Sequence, residues 1–158
     1  MPSVKPVKSS AMQWYVKFKI GDESSQKYIH MSEMNEFTFE AEQETKTTAY
    51  IDYDDQVDNV LSNKLTGTLN VDIYEDSELH MFLLKHEDES NIPCELVRVL
   101  TLSTGDQVKH ANFNFNPTSI TQTANDLLKA GGTFSKRGEW DEGTFDKDSL
   151  KFTPAAQQ

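Results

Sequence analysis

LTGTLNVDI, residues 65–73, is the clearest stretch of this chain. Leu65, Gly67, Leu69, Val71 and Ile73 alternate with Thr66, Thr68, Asn70 and Asp72. Side chains on an extended strand point to opposite faces in turn, so this pattern is a strand with one buried and one polar face. Gly67 inside so regular a run marks a bulge or a close backbone approach. The same period recurs on either side. Trp14, Val16, Phe18 and Ile20 alternate with Tyr15, Lys17 and Lys19; a polar turn through Gly21 and Asp22 then leads to a second strand, Lys27–Met31, predicting a hairpin. Phe37, Phe39 and Ala41 alternate with Thr38, Glu40 and Glu42. Ala111, Phe113 and Phe115 alternate with Asn112, Asn114 and Asn116 before Pro117 stops the run. Between these lies Cys94–Leu102, with Leu96, Leu100, Leu102 and Arg98 on one face and Val97 and Val99 on the other. Apolar residues on both faces predict a central strand covered from two sides.

One segment departs from period two. Asp76–Ser77 is a helix start, with Glu78 in the first turn, and Leu79, Phe82, Leu83 and His86 follow at helical spacing. A short helix is expected over Ser77–Lys85. For residues 120–140 two readings stand: a helix closed by Gly131–Gly132, or a strand, a turn at Asn125–Asp126 and a strand Thr133–Trp140. The second is preferred. The sum is about seven strands and one helix. The expected fold is therefore mainly β: an antiparallel β-sandwich or barrel-like domain with one flanking α-helix. Residues 1–12 read as a flexible N-terminal arm, 13–146 as the domain, and 147–158 as a C-terminal tail.

The chain has 158 residues, enough for one domain with its own core. Its 26 acidic against 15 basic side chains leave a formal charge of −11. That balance lacks the basic footprint of a nucleic-acid binder. The lone Cys94 excludes an intrachain disulfide and suits a reducing compartment. The first residues, MPSVKPVKSSAMQW, have no apolar run of the signal-peptide kind, and no stretch approaches the length of a membrane-spanning helix.

The motifs of catalysis and cofactor binding are not met. Residues 131–138, GGTFSKRG, lack the phosphate-loop spacing, and no nucleophile elbow occurs. His80 and His86 are six apart, on different helix faces, and no second cysteine joins them or His30 and His110 in a zinc set. Asp52, Asp54 and Gln56 begin like a calcium loop. Val57 then stands where the turn glycine belongs, and Asn63 where the bidentate Glu belongs. Trp14, Tyr15 and Trp140 suit a sugar platform in principle, although aromatics on strands are more commonly core. The expectation is a chain without enzymatic activity, catalytic or metal site, or cofactor.

What remains is surface. The strand faces at 38–42, 66–72 and 112–116 are built of Thr, Asn, Glu and Asp, without lysine or arginine. Residues 44–63 read as a long acidic loop carrying Tyr50, Ile51, Tyr53, Val57, Val60 and Leu61, apolar groups that need cover from somewhere, for which a neighbouring subunit is one source. Phe37-Thr-Phe-Glu-Ala, then KTTAYIDYDDQVDNVLSNKLTGTLNVDIYED at 46–76, then the short helix and GGTFSKRGEWDEGTFD at 131–146, resemble in pattern and order the tail tube (major tail) proteins of long-tailed phages. The resemblance implies a structural virion protein without catalysis. It implies sheet edges joined into hexameric rings with an inner β-barrel, stacked as the conduit for DNA ejection. It casts residues 44–63 as an inter-subunit loop and both termini as connectors. It places Glu40, Glu42, Thr66, Thr68, Asn70 and Asp72 toward the lumen, where DNA passes without specific binding. The implied partners are further copies of the chain and tape-measure, baseplate and tail-terminator proteins. The implied location is the virion tail, after assembly in the host cytoplasm and without membrane insertion. Tubes of contractile injection or type VI secretion systems share this pattern, and a monomeric β-sandwich binding a ligand or carbohydrate is the alternative from outside the class.

Overall fold

A computed structural model describes residues 5–22, 26–31, 34–49 and 56–155, with the backbone alone for 42–49 and 56–64. Its strands are β1 (Met12–Phe18), β2 (Ile29–His30), β3 (Met34–Ala49), β4 (Gln56–Asp72), β5 (Ile92–Leu102), β6 (Gly105–Thr121), β7 (Lys129–Asp146) and β8 (Lys151–Pro154), and its helix is α1 (Glu78–Lys85). The strands pair in the order β2-β1-β5-β6-β7-β4-β3, with β8 on β7. Every pairing is antiparallel.

The sheet rolls. Trp14 of β1 stacks on Phe39 of β3 with ring centroids 4.7 Å apart, although β5, β6, β7 and β4 lie between those strands in the sheet. The enclosed face carries Val16, Phe18, Leu69, Val71, Cys94, Leu96, Phe113, Phe115 and Phe134, all buried. Such a core satisfies the alternation read in each strand, because each strand sends its apolar set inward. Gly67 sits opposite Phe39, whose ring covers it: a Cβ there would come within 2.8 Å of Phe39 Cε1. The glycine marks a close approach, not a bulge.

Helix α1 closes one end. Ser77 Oγ accepts from His80 N at 3.3 Å, capping the first turn, and Leu79 and Leu83 point into the core. Phe82 lies against Phe18 at 3.8 Å. His80 is fully buried, and its Nδ1 accepts from Tyr74 N at 3.0 Å.

Residues 120–130 follow the strand-turn-strand reading: β6 runs to Thr121, Asn125 takes the turn with φ 63°, and β7 begins at Lys129, earlier than the expected Thr133. The C-terminal segment differs from the expected tail. Gly138, at φ 86°, lies between Arg137, paired with Asn112, and Asp141, paired with His110. Three residues of β7 there oppose one of β6, a bulge that turns the strand. Beyond it β7 and β8 form a second layer over the outer face of β1, β5 and β6. Phe145, Leu150 and Phe152 pack there on Tyr15, Tyr28, Val97, Val99 and Val108. This layer gives β5 its second cover.

Residues 44–63 also differ from expectation. Glu44–Ala49 and Gln56–Asn63 are strand, paired from Glu44↔Ser62 to Ala49↔Gln56. The described parts of the segment are thus the two arms of a β-ribbon, not a loop. Thr45, Thr47, Thr48, Val57 and Val60 favour extended backbone, and their polarity hid that preference from a reading based on burial. Val57, Val60 and Leu61 lie on β4; Tyr50, Ile51 and Tyr53 fall outside the described residues.

Candidate assembly surface

The outer face of the rolled sheet is a lattice of short polar side chains set by strand register. Thr38 pairs with Thr68, Thr68 with Thr133, and Thr133 with Asn116. One row along, Glu40, Thr66, Ser135 and Asn114 follow one another in the same way. Thr38, Glu40, Thr68 and Asn70 are exposed, and Thr66 and Asp72 half-buried. Five of the six residues singled out for a lumen therefore share one face: Glu40, Thr66, Thr68, Asn70 and Asp72. The sixth, Glu42, pairs with Lys64 where only backbone is described. Sequence reasoning missed Thr133 and Ser135, whose signal is their alternation with the buried Phe134. Cations stand at the margins: Arg137 pairs with Asn112, Lys129 with Thr121, and Lys19 Nζ lies 3.4 Å from Asn112 Oδ1.

The edges of this sheet are open. Among the described residues β3 pairs only with β4, so its other edge is free along Met34–Ala49. Among the described residues β2 pairs with β1 at Tyr15 and Val16, and Met31 N extends the contact to Trp14 O at 2.8 Å. A long free edge is a template for strand addition unless an assembly occupies it. The β4–β7 ladder ends at Thr66↔Ser135, so the ribbon beyond it is paired only with itself. At about 3.3 Å per residue, the nine residues of β3 and ten of β4 beyond that pair reach about 30 Å past the sheet.

A cleft of 680 Å³ lies beneath the C-terminal layer, with Lys17, Glu95, His110 and Asp141 among its lining residues. His110 Nε2 is 2.9 Å from Glu95 Oε1, its Nδ1 is 3.5 Å from Asp141 Oδ2, and Lys17 Nζ is 3.2 Å from Glu95 Oε2. The Phe152 ring stacks on His110 at 4.6 Å. These contacts tie β1, β5, β6 and β7 together under the C-terminal layer. The hydrogen bond from His110, with help from the Lys17 and Lys19 charges and against the effect of burial, holds the Glu95 carboxyl at about 2. So acidic a carboxyl is a poor proton acceptor at neutral pH. Its pKa lies below the ordinary 4.5, so its stabilisation is complete above about pH 5 and is lost as pH falls toward 2. Glu95→Gln is expected to flatten the acid limb of stability, read as urea midpoints between about pH 6 and pH 3. An unchanged limb refutes the assignment.

Cys94 donates to Phe113 O at 3.5 Å, and burial pushes its thiol up to about 12, Arg137 and Lys19 offsetting part of the shift. At pH 8 the thiolate fraction is then about 1,000-fold below that of a free thiol. A thiol reagent is expected to label the native chain only as it unfolds; fast labelling without urea contradicts this. Trp14 is buried in the core, Tyr15 is buried on the opposite face under Phe145, and the partly buried Trp140 lies 6.4 Å from Trp14, so the aromatics weighed as a sugar platform form no shared exposed face. Among the described residues no group of three or more His, Cys, Asp or Glu could hold a metal ion.

Neither a family model nor a curated protein sequence matches the chain. Solved structures do. A chain of the SPP1 tail tube superposes with a TM-score of 0.66 over 89% of this chain and 81% of that one, at 7% identity. The chain has the tail-tube fold. A chain from the tail of an empty gene transfer agent particle matches with a TM-score of 0.57 over 87% of this chain and 98% of that one, also at 7% identity. A chain from the sheath/tube terminator of an extracellular contractile injection system matches at 0.56, over 90% of this chain and all of that one, at 14% identity. Identities this low carry architecture and nothing finer.

Proposed function

We propose that this chain is a non-enzymatic tube subunit of a phage tail, forming rings, hexameric by resemblance, that stack into the conduit for DNA. The observation that carries the reading is the pairing of the long free β3 edge with a continuous face of Thr, Asn and Ser on a tail-tube fold. Closing a ring of copies occupies the edge, and turning the polar face inward lines the bore. Short neutral and acidic side chains give passing phosphates few cations to hold. The ribbon reaches a neighbouring copy. On this reading the further partners are tape-measure, baseplate and terminator proteins, and the location is the virion tail after assembly in the host cytoplasm. A contractile-injection tube is the second reading, favoured by the match to that system's terminator chain.

Light scattering on a sizing column, with negative-stain microscopy of the same fractions, tests the proposal. Rings or hollow tubes are expected. A strict monomer at millimolar concentration, with no tubes when tail baseplates are added as nuclei, rejects it.

A further inference from the structure

Between its two register shifts, at Met34/Glu36 and Glu44/Thr45, β3 pairs with β4 in unbroken alternation. Glu36, Thr38, Glu40, Glu42 and Glu44 fall in one row of that backbone, and Phe37 and Phe39 in the other. Every member of the first row except Thr38 is an acid, and none is a base. Glu36 and Glu40 are exposed, and Thr38 Oγ1 donates to Glu36 Oε1 at 3.3 Å. Among the described residues neither Glu36 nor Glu40 forms an ion pair. Two bases stand close to the row: Lys64 of β4 is opposite Glu42, and Lys8 lines the same cleft as Glu36. They leave the row acidic. Phe37 and Phe39 anchor the strand, with ring centroids 5.0 and 4.7 Å from that of Trp14. The free edge of β3 is thus held in place and carries a line of carboxylates.

A fixed open edge is a template for any extended strand, including the same edge of another molecule. Antiparallel pairing of β3 with β3 has a two-fold centre. Every register centred on residues 38 to 42 sets at least one pair of these carboxylates directly opposite: Glu36 with Glu40, Glu42 or Glu44, or Glu40 with Glu42 or Glu44. Parallel in-register pairing places each Glu on its own copy. Like charges directly opposite destabilise a sheet. We propose that the acidic row is a barrier to β3–β3 pairing, which reserves the edge for an unlike strand of a second copy of this chain. β1 and β2 end the same sheet on its other side and carry no acid, so that end of a second copy meets the row without repulsion. The inference rests on the tube reading. A ring closes by head-to-tail contact of unlike edges, whereas a two-fold β3–β3 contact would divert subunits into closed dimers.

Thr38→Cys reports self-pairing, because this position opposes itself in the register centred on it; Cys94 is fully buried and does not compete. The reporter is placed in three full-length chains: the parent, one with Glu36→Gln, Glu40→Gln, Glu42→Gln and Glu44→Gln, and one with the same four positions changed from Glu to Lys. On air oxidation the Gln chain is expected to form disulfide-linked dimers about tenfold faster than the parent. The Lys chain, again of one sign along the row, is expected to be as slow as the parent. Raising salt from 0.05 to 0.5 M is expected to speed dimer formation by the parent and to leave the Gln chain unchanged. Equal rates for the parent and the Gln chain overturn the proposal, as does a Lys chain as fast as the Gln chain or a parent rate indifferent to salt. A parent that forms neither rings nor tubes rejects the tube reading itself, while the order of the three rates decides the barrier separately.

Discussion

Gly132→Val is expected to remove about 3 kcal/mol of stability, a large share of what a domain of this size holds. A Cβ at 132 overlaps Phe115 Cε2 and Cζ. Phe115 is fully buried, with Phe134 at 4.6 Å and Phe18 at 5.7 Å, so its ring has nowhere to go. Gly132 also sits in mid-sheet, paired with Leu69 on one side and Pro117 on the other, and the strand cannot shift without breaking two ladders. Gly131→Ala is the internal control. Its Cβ meets Ser119 Oγ at 3.0 Å and Asn70 Oδ1 at 3.1 Å, side chains on the polar face that can swing aside, and Leu69 O at 3.2 Å, backbone that must give slightly, and a cost of about 1 kcal/mol is expected. Urea midpoints of the two variants decide the matter. Equal midpoints would mean that the core around Phe115 is loose.

The contrast between these neighbouring glycines shows what the sequence could and could not tell. Gly131–Gly132 reads equally as a helix C-cap and as a strand, since glycine serves both; only the packing of Phe115 explains the second glycine. Where burial alternates, as in 65–73 and 111–116, register was legible because one wrong step would turn the whole apolar set outward. The doubly covered β5 was legible for the same reason, from Val97 and Val99 opposing Leu96. The ribbon arms at 44–49 and 56–63 were not, because their sequence shows no clean alternation of apolar and polar residues to read. The C-terminal layer was hidden differently. Its apolar residues, Phe145, Leu150 and Phe152, are sparse among acids, and their partners Tyr28 and Val108 are far away in sequence. The surface divided along the same line: Thr66, Thr68 and Asn70 could be placed together on the polar face because they oppose a clear core pattern. The Glu95–His110–Asp141 clamp joins three strands that only topology brings together.

Thr68→Lys with Asn70→Lys should leave the subunit folded and the tube built, yet slow DNA delivery about tenfold or more. Both side chains are exposed on the polar lattice, their backs turned to Leu69 and Val71 in the core, so the exchange adds charge without touching packing. Their cross-strand neighbours are Thr133 and Gly131 on β7 and Thr38 and Glu36 on β3, none of which repels lysine. In a closed ring the substitutions repeat once per copy, and stacked rings repeat them along the bore. A strand of phosphates then meets cations at every level, each contact exchanging condensed counterions for a protein charge. The retardation should fade as salt rises, which separates electrostatic drag from a blocked channel. Thr68→Glu with Asn70→Glu should assemble equally and deliver DNA at the parent rate. Phage assembled with each subunit, compared by microscopy for tail length and by DNA release for transit, tests the chain of reasoning at its weakest link. Normal tails with unimpaired release from the lysine variant at low salt would place these residues away from the bore, while the edge and ribbon would keep their role in assembly.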